Sequence, residues 1–339
     1  MDKLPLFGLT LHELQDLTAT LGAPRYTAQQ IAQWLYAKRV DTIDRMTNIS
    51  KALREKLNTQ YTVGRRPFES VRRSADGTRK YLFHTGQGAV ETAYIPDADR
   101  RTLCVSSQIG CRMGCHFCMT GRMGYGGSLT AGEILNQLAS IEQPDTVTNI
   151  VFMGMGEPMD NLDAVLKAID ILTAEWGFAL SPRRITVSTI GIPAAVEKFL
   201  DQCQAHLAVS LHSPFNTQRA EFMPIEKAHP IEQTIALLKR YNWTGQRRLT
   251  FEYTLFDHLN DTPRHADQLR FLLRGLPCRV NIIAYNTIPD APYAGASTSR
   301  IEHFAQMLNE RGLTTTVRHS KGADIDAACG LLSTRQHAS

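Results

Sequence analysis

Three cysteines within eight residues set the chemical question. The run Gly110-Cys111-Arg112-Met113-Gly114-Cys115-His116-Phe117-Cys118 has the spacing C-x3-C-x2-C, with no fourth cysteine close by. A structural zinc site takes four closed ligands, usually as two separated pairs. His116 could be recruited, but it already sits between two of the cysteines. A [4Fe–4S] cluster held by three thiolates leaves one iron open to a ligand, which suits chemistry better than electron storage. Incidental thiols at this density on a loop are an oxidation hazard. The cluster is therefore the leading reading, with zinc and chance spacing as its rivals. Of the remaining cysteines, Cys203 falls at a helix end and Cys278 just before a strand, and both read as structural. Cys104 sits in an apolar run and Cys329 near the C-terminus. Taken singly they read as a small core residue and an inert surface thiol.

The elements that must position this loop follow from hydrophobic spacing. From residue 101 onward, short β-branched runs alternate with amphipathic helices. Strands are expected over Leu103–Ser107, Asn149–Met153, Arg184–Thr189, His206–Leu211, Leu249–Thr254 and Arg279–Ala284. Helices are expected to start near Thr130, Leu162, Pro193, Ile231, Thr262 and Thr298, and Leu313–Arg318 reads as a strand outside the repeat. Six consecutive βα units argue an α/β fold, either a partial (βα)6 barrel or an open doubly wound sheet.

In barrels, chemistry sits just beyond the C-terminal ends of the strands. The cysteine loop follows the first strand and Gly154-Met155-Gly156-Glu157-Pro158 the second. Ser188 ends the third, Ser210-Leu211-His212 ends the fourth, and Asn286 follows the sixth. Polar motifs thus gather on one rim. The plain alternatives are a strand-to-helix turn for the glycines and a hydrogen-bonded core histidine for His212.

The N-terminal region differs. Thr10 caps a first helix with Glu13 in capping-box position, Thr27 opens a second, and Ser50 caps a third running to about Asn58. Tyr81–His84 and Ala89–Ile95 flank Thr85-Gly86-Gln87-Gly88 and read as a β-hairpin. The expected division is a helical accessory domain at 1–75, a hairpin linker at 76–98, the barrel at 99–320 and a C-terminal segment at 321–339. A chain of 339 residues with 43% hydrophobic and 21% charged residues is ordinary globular material, not disordered or low-complexity. No apolar run approaches the ~18 residues that span a bilayer. The start, Met1-Asp2-Lys3-Leu4-Pro5, lacks an export pattern, so a cytoplasmic, membrane-free protein is expected. The formal charge of +4 is concentrated in residues 1–75, where twelve Lys or Arg face seven acids. Arg65-Arg66, Arg72-Arg73, Arg79 and Lys80 could neutralise phosphates, or could simply form a solvated face.

The cysteine loop, with an aromatic residue before its last cysteine, resembles the radical S-adenosylmethionine (SAM) superfamily. That likeness implies a partial (βα)6 barrel, a [4Fe–4S] cluster on Cys111, Cys115 and Cys118, and SAM on its open iron. Gly154-Met155-Gly156-Glu157 resembles the element that meets the SAM amino group. The resemblance narrows along the chain. Thr102–Cys111, Phe152–Pro158, Thr186–Thr189, Val209–Pro214 and Asp324–Gly330 follow in order and together resemble the RlmN/Cfr family of RNA adenine methyltransferases.

That family implies a division of labour among the remaining residues. Cys329 matches the position that accepts a methyl group from one SAM. Cys104 matches the thiol that later attacks the methylated sulfur and leaves a disulfide with Cys329. Glu91 matches the base that removes the ring proton, although a hairpin glutamate is otherwise an ordinary solvated residue. Gly156, Glu157, Ser188, Ser210, Leu211, His212 and Asn286 match SAM contacts, that of His212 through its ring or through its backbone alone. One cluster per chain, two SAM per turnover, a flavodoxin-like electron donor and a monomer are implied. The RNA partners implied are 23S rRNA and tRNA, methylated at adenine C2. The alternatives are C8 methylation of the same rRNA adenosine, a radical SAM enzyme acting on a non-RNA substrate, and a passive iron–sulfur or zinc protein that binds RNA. An adenosine in a loop is the usual kind of target, extruded to reach a buried thiol.

Overall fold

The computed structural model describes residues 3–334; residues 1–2 and 335–339, parts of the expected terminal segments, lie outside the described residues. The N-terminal helices span Leu11–Thr20, Thr27–Ala32 and Lys51–Gln60. Thr10 and Glu13 form a reciprocal capping box, satisfying two backbone donors that the first turn would otherwise leave unpaired. The second helix widens to π geometry over Gln33–Ala37. A two-residue parallel pairing, β1 (Leu4–Pro5) with β2 (Tyr61–Thr62), closes this unit.

A ten-stranded sheet follows. Its elements are β3 (Ser70–Arg73), β4 (Arg79–His84), β5 (Ala89–Asp97) and β6 (Arg100–Cys104), then β9 (Asn149–Phe152), β10 (Ile185–Thr189), β11 (His206–Ser210), β12 (Leu249–Leu255), β13 (Arg279–Ala284) and β14 (Thr315–Arg318). From β6 to β14 the strands are parallel and lie in sequence order. A doubly wound sheet reverses its order at a switch point, so this ordering is that of an α/β barrel wound one way. The expected fold class holds, with two refinements. The strand read as lying outside the repeat is β14, which pairs in parallel with β13 through Val280 and Thr315. The hairpin read as a linker is continuous with the barrel, because β5 pairs antiparallel with β6 through Ala93 and Cys104.

Strand β6 ends earlier than expected. Val105 still donates to the Val151 carbonyl, but Ser106 and Ser107 leave the ladder for Gln137 and Met155. A small antiparallel pair, β7 (Gln108–Gly110) and β8 (Tyr125–Ser128), frames the cysteine loop.

Alternation along the strands separates two environments. Leu103, Ile150, Phe152, Ile185, Val187, Leu207, Val209, Phe251, Tyr253, Val280 and Ile282 are almost fully buried in the apolar core. The alternate positions Thr186, Ser188, Ser210, Thr250, Glu252, Thr254 and Asn281 line cavities in the barrel interior. Successive side chains of a strand face opposite sides. One face of this sheet thus makes the core and the other a polar lumen. Among the described residues no helix is long and apolar enough to cross a membrane.

The N-terminal unit seats on the barrel by close backbone contact. A Cβ at Gly132 would lie 2.3 Å from the Phe7 carbonyl oxygen, and one at Gly8 would lie 2.5 Å from the Gly132 nitrogen. Replacing Gly132 by Ala is expected to push these backbones apart and cost about 1–3 kcal/mol, as overpacking does. The check is the urea midpoint followed by circular dichroism; an unchanged midpoint would mean that the seat yields without cost.

Candidate active site

The cysteine loop is held by its glycines and by its neighbours. Gly110 has φ +67°, and a Cβ there would lie 1.9 Å from the Gly124 carbonyl oxygen. That same carbonyl accepts the Cys111 amide at 2.8 Å, so the approach must be tight. Cys111, Cys115 and Cys118 line one cavity. Burial pushes the Cys111 thiol up to about 12 and raises Cys115 and Cys118 as well. Buried thiols lose protons readily only beside a strong cation, and a bound iron cluster is such a cation. Among the described residues no three Cys, His, Asp or Glu side chains converge on a single-ion site. Three thiols spread round a cavity suit a cluster in which each thiolate takes its own iron.

The second strand end supplies Gly156 and Glu157. Gly156 has φ +97°, and a Cβ there would meet Gln108 Cβ at 2.5 Å. Gln108 is thereby close enough to accept the Glu157 amide at 2.9 Å. The Glu157 carboxylate accepts from the Met159 amide at 3.1 Å and the Ile190 amide at 3.1 Å. Burial raises its pKa to about 7 despite these bonds. An ammonium-bearing ligand in the cavity would give this buried carboxylate its missing counter-charge. Glu252, which also lines the cavity, has one carboxylate oxygen buried without a hydrogen-bond partner. Such groups in native structures call for a ligand, ion or water. The residues present therefore fit a polar, cationic ligand such as SAM beside a thiolate-bound cluster.

Ser188, Ser210, His212 and Asn286 line the same cavity. Leu211 does not: its side chain is fully buried in the apolar core. His212 has φ +56° and accepts the Thr254 amide on Nδ1 at 2.9 Å, which places its proton on Nε2. Burial, helped by Arg219, lowers its pKa to about 3, so the ring stays neutral. It packs edge-on against Phe117 of the cysteine loop at 4.9 Å. Arg219 escaped the sequence reading. Its fully buried guanidinium donates to the carbonyls of Ile190 (2.7 Å), Ser210 (2.9 Å) and Leu211 (3.1 Å) and pairs with Glu226. It thus ties two strand ends of the site together. An isolated arginine in a helix carries no sequence signal for that role.

Cys329 lines the three-thiol cavity and also a second one, and Cys104 lines only the second. Cys329 is exposed to solvent and borders both cavities. Burial raises both thiols, and a charge on Cys329 would raise Cys104 further, so the two are neighbours. Glu91 lines neither cavity. It is buried, with Lys80 Nζ at 3.0 Å and the Ser333 amide at 2.8 Å, and burial raises its pKa. In the β5–β6 register it lies two residues from Ala93, the partner of Cys104, and so on the same sheet face.

Most of the basic residues considered for phosphate binding are engaged internally. Arg65 donates to the carbonyls of Arg39 and Ala139, Arg73 and Arg79 pair with Glu142, Arg72 lies 3.8 Å from Asp326, and Lys80 pairs with Glu91. The spacing of charges along a sequence does not show such partners.

Residues 4–63 match the family model of the ribosomal RNA large subunit methyltransferase N-terminal domain, and residues 105–269 match that of the radical SAM superfamily. The chain is 52% identical over 335 residues to a probable dual-specificity RNA methyltransferase RlmN of Bacteroides thetaiotaomicron, covering 98% of this chain and 97% of the relative. A protein of the same name from Parabacteroides distasonis is 48% identical over 338 residues, covering 99% and 98%. The crystal structure of a radical SAM methyltransferase from Sphaerobacter thermophilus superposes with a TM-score of 0.92 at 42% identity, covering 98% of this chain and all of that one.

The raised pKa of Glu157 has a measurable consequence. Its folded value, about 7, exceeds the ordinary 4.5, so the folded state holds a proton that the unfolded state has lost. The stabilisation is full below pH 4.5 and is lost as pH rises through 7. Without ligand, the protein is expected to lose up to about 3 kcal/mol over this window through Glu157. Glu157→Gln should flatten that part of the profile. Urea midpoints of both proteins across pH check it, and parallel profiles would refute it.

Proposed function

This chain belongs to the RlmN family of radical SAM RNA methyltransferases, and from that premise we propose that it methylates C2 of an adenosine in 23S rRNA and of the tRNA adenosine next to the anticodon. The relatives' description as dual-specificity RNA methyltransferases supports two RNA substrates. The observation that carries the chemistry is the position of Cys329, facing both the three-thiol cavity and the cavity that holds Cys104. When bound, one [4Fe–4S] cluster on Cys111, Cys115 and Cys118, with SAM against Gly156, Glu157, Ser188, Ser210, His212 and Asn286, supplies a 5′-deoxyadenosyl radical.

Adenine C2 is electron-poor and cannot displace a methyl group by itself, so the carbon must be carried by the protein. Cys329 accepts it as an S-methyl group from a first SAM. Its thiol must ionise to do so. Burial opposes this, and the nearby Arg318 charge favours it. The S-methyl group on Cys329 would lose one hydrogen atom to the radical that a second bound SAM would supply, and the carbon left behind would bond to C2 of the ring. Cys104 then attacks the Cys329 sulfur, and product leaves as a disulfide forms. Glu91, whose proton affinity burial raises, takes the ring proton. Leu211 acts through packing, fixing Ser210 and His212 on either side of it. A flavodoxin-like donor supplies electrons to a monomeric, cytoplasmic enzyme.

The deciding measurement is mass spectrometry of rRNA and tRNA nucleosides from a strain lacking the endogenous activity, with and without this chain. Restored 2-methyladenosine in both RNAs is expected. 8-Methyladenosine in rRNA alone would overturn the regiochemistry, and no methyladenosine would overturn the substrate. Cys329→Ala should abolish methylation while RNA binding persists. Cys104→Ala should leave RNA covalently attached to Cys329, because no thiol remains to release it. Free RNA in both variants would refute the roles assigned here.

A further inference from the structure

At the N-terminal end of the barrel, opposite the cysteine loop, the lumen opens into a cavity of about 800 Å³. Six arginines line it: Arg100, Arg183, Arg184, Arg248, Arg279 and Arg318. Among the described residues no Asp or Glu lines it. Arg100 and Arg279 begin β6 and β13, while Arg184 and Arg248 immediately precede β10 and β12. Neighbouring strands of a sheet lie about 4.8 Å apart, so these cations are crowded round one mouth.

The crowding registers electrostatically. Burial, then the charges of Arg318 and Arg184, lower the Arg100 pKa, with Asp97 offsetting only part. Burial, then Arg248, Arg100 and Arg183, lower that of His206 on the same cavity. The polar partners of Arg183 and Arg184 are neutral amides, Gln246 at 2.8 Å and Asn149 at 3.5 Å. Like charges held together without carboxylates repel, and an anion relieves that repulsion. The mouth is also continuous with the chemistry, because Arg100 and Arg318 line the cavity that contains Cys104 and Cys329.

We propose that this arginine mouth binds the phosphodiester backbone of the RNA beside the target adenosine, so that the base reaches Cys329 along the cavity that Arg100 and Arg318 share. The inference rests on the reading that the substrate is RNA. Planar guanidinium forks match phosphate oxygens in pairs, and backbone contacts of this kind fix register without reading sequence. The mouth therefore serves rRNA and tRNA alike.

The test measures binding of the intact holoenzyme to an RNA stem–loop with a loop adenosine, across a salt series. The variants are Arg248→Gln/Arg279→Gln and, away from the mouth, Arg270→Gln. The double variant is expected to bind roughly tenfold more weakly near physiological salt, with a log–log salt slope shallower by about 0.7–0.9 per arginine. Its KM for RNA should rise while kcat at saturating RNA holds, and cluster absorbance and melting temperature should match the parent, which separates lost contact from lost fold. Unchanged affinity and slope would overturn the proposal, as would equal weakening by Arg270→Gln. Loss of pyrophosphate binding with RNA affinity intact would assign the mouth to a free anion and also overturn it. Methylation products are read separately. Arginine-dependent RNA binding without methyladenosine defeats the methylation reading alone, and methylation with arginine-independent binding defeats only the mouth.

Discussion

The hydrogen bonds of residues 322–333 decide where the Cys329 thiol sits, and with it whether two cavities share one reactive sulfur. That stretch makes neither a long helix nor a strand, so its polar groups must be satisfied by neighbours. The Gly330 carbonyl accepts from the Met119 amide at 2.8 Å and the Leu332 carbonyl from the Thr120 hydroxyl at 2.7 Å, joining it to the end of the cysteine loop. Asn286 donates to the Cys329 carbonyl at 3.2 Å. On the hairpin side, Glu91 accepts the Ser333 amide, Lys80 donates to the Asp326 carbonyl at 3.3 Å, and Asp76 accepts the Gly322 amide at 2.9 Å. Burial would raise Asp76, but bonds from Thr78, Gly322 and Ser74 outweigh it and hold the carboxyl far below its usual range. Each such bond contributes about 1 kcal/mol net, more where one partner is charged. A sulfur held from the cysteine loop, the last barrel loops and the hairpin at once is placed by agreement among them.

This arrangement explains why the hairpin is part of the barrel sheet. Cys104 ends β6 and pairs opposite Ala93, and Lys80 pairs with that same Ala93 from β4. The three lie across adjacent strands, and the buried Lys80–Glu91 pair binds the C-terminal segment through the Ser333 amide and the Asp326 carbonyl. Removing one member of such a pair strands the other charge, at a cost of several kcal/mol. Glu91 is thus a structural anchor as well as the proposed proton acceptor. Lys80 holds its carboxylate while burial raises its affinity for a proton.

Much of this was legible in the sequence, for identifiable reasons. The βα repeat showed because apolar residues at period two and at helical spacing leave a strong pattern. The rim motifs showed because cysteine triplets and Gly-x-Gly turns are rare and local. Strands β3, β7 and β8 did not show. Ser70-Val71-Arg72-Arg73 carries no apolar alternation, and Tyr125-Gly126-Gly127-Ser128 has the composition of a loop. β14 was seen as a strand, but its place in the parallel run depends on pairing that no local pattern encodes. Arg219, Gln108 and Glu252 were invisible because their roles come from burial and from partners in other elements. The internal partners of Arg65 and Arg79 were not legible because charge is local in sequence, whereas these carboxylate and carbonyl partners lie on later segments.

The same point governs where the protein's positive charge is available. Arg39, Arg65, Arg73, Arg79 and Lys80 of the N-terminal region and hairpin hold tertiary contacts, and a paired surface cation retains little field to attract a distant anion. The strand starts between residues 100 and 279 contribute arginines one at a time, each unremarkable in sequence. Winding the strands in order into a barrel brings these starts to one rim, just as it brings the cysteines and Glu157 to the opposite one. The repeat that gathers thiols and carboxylates at one end therefore gathers guanidiniums at the other. The polar lumen between them leaves room in the barrel where a packed apolar core would close it.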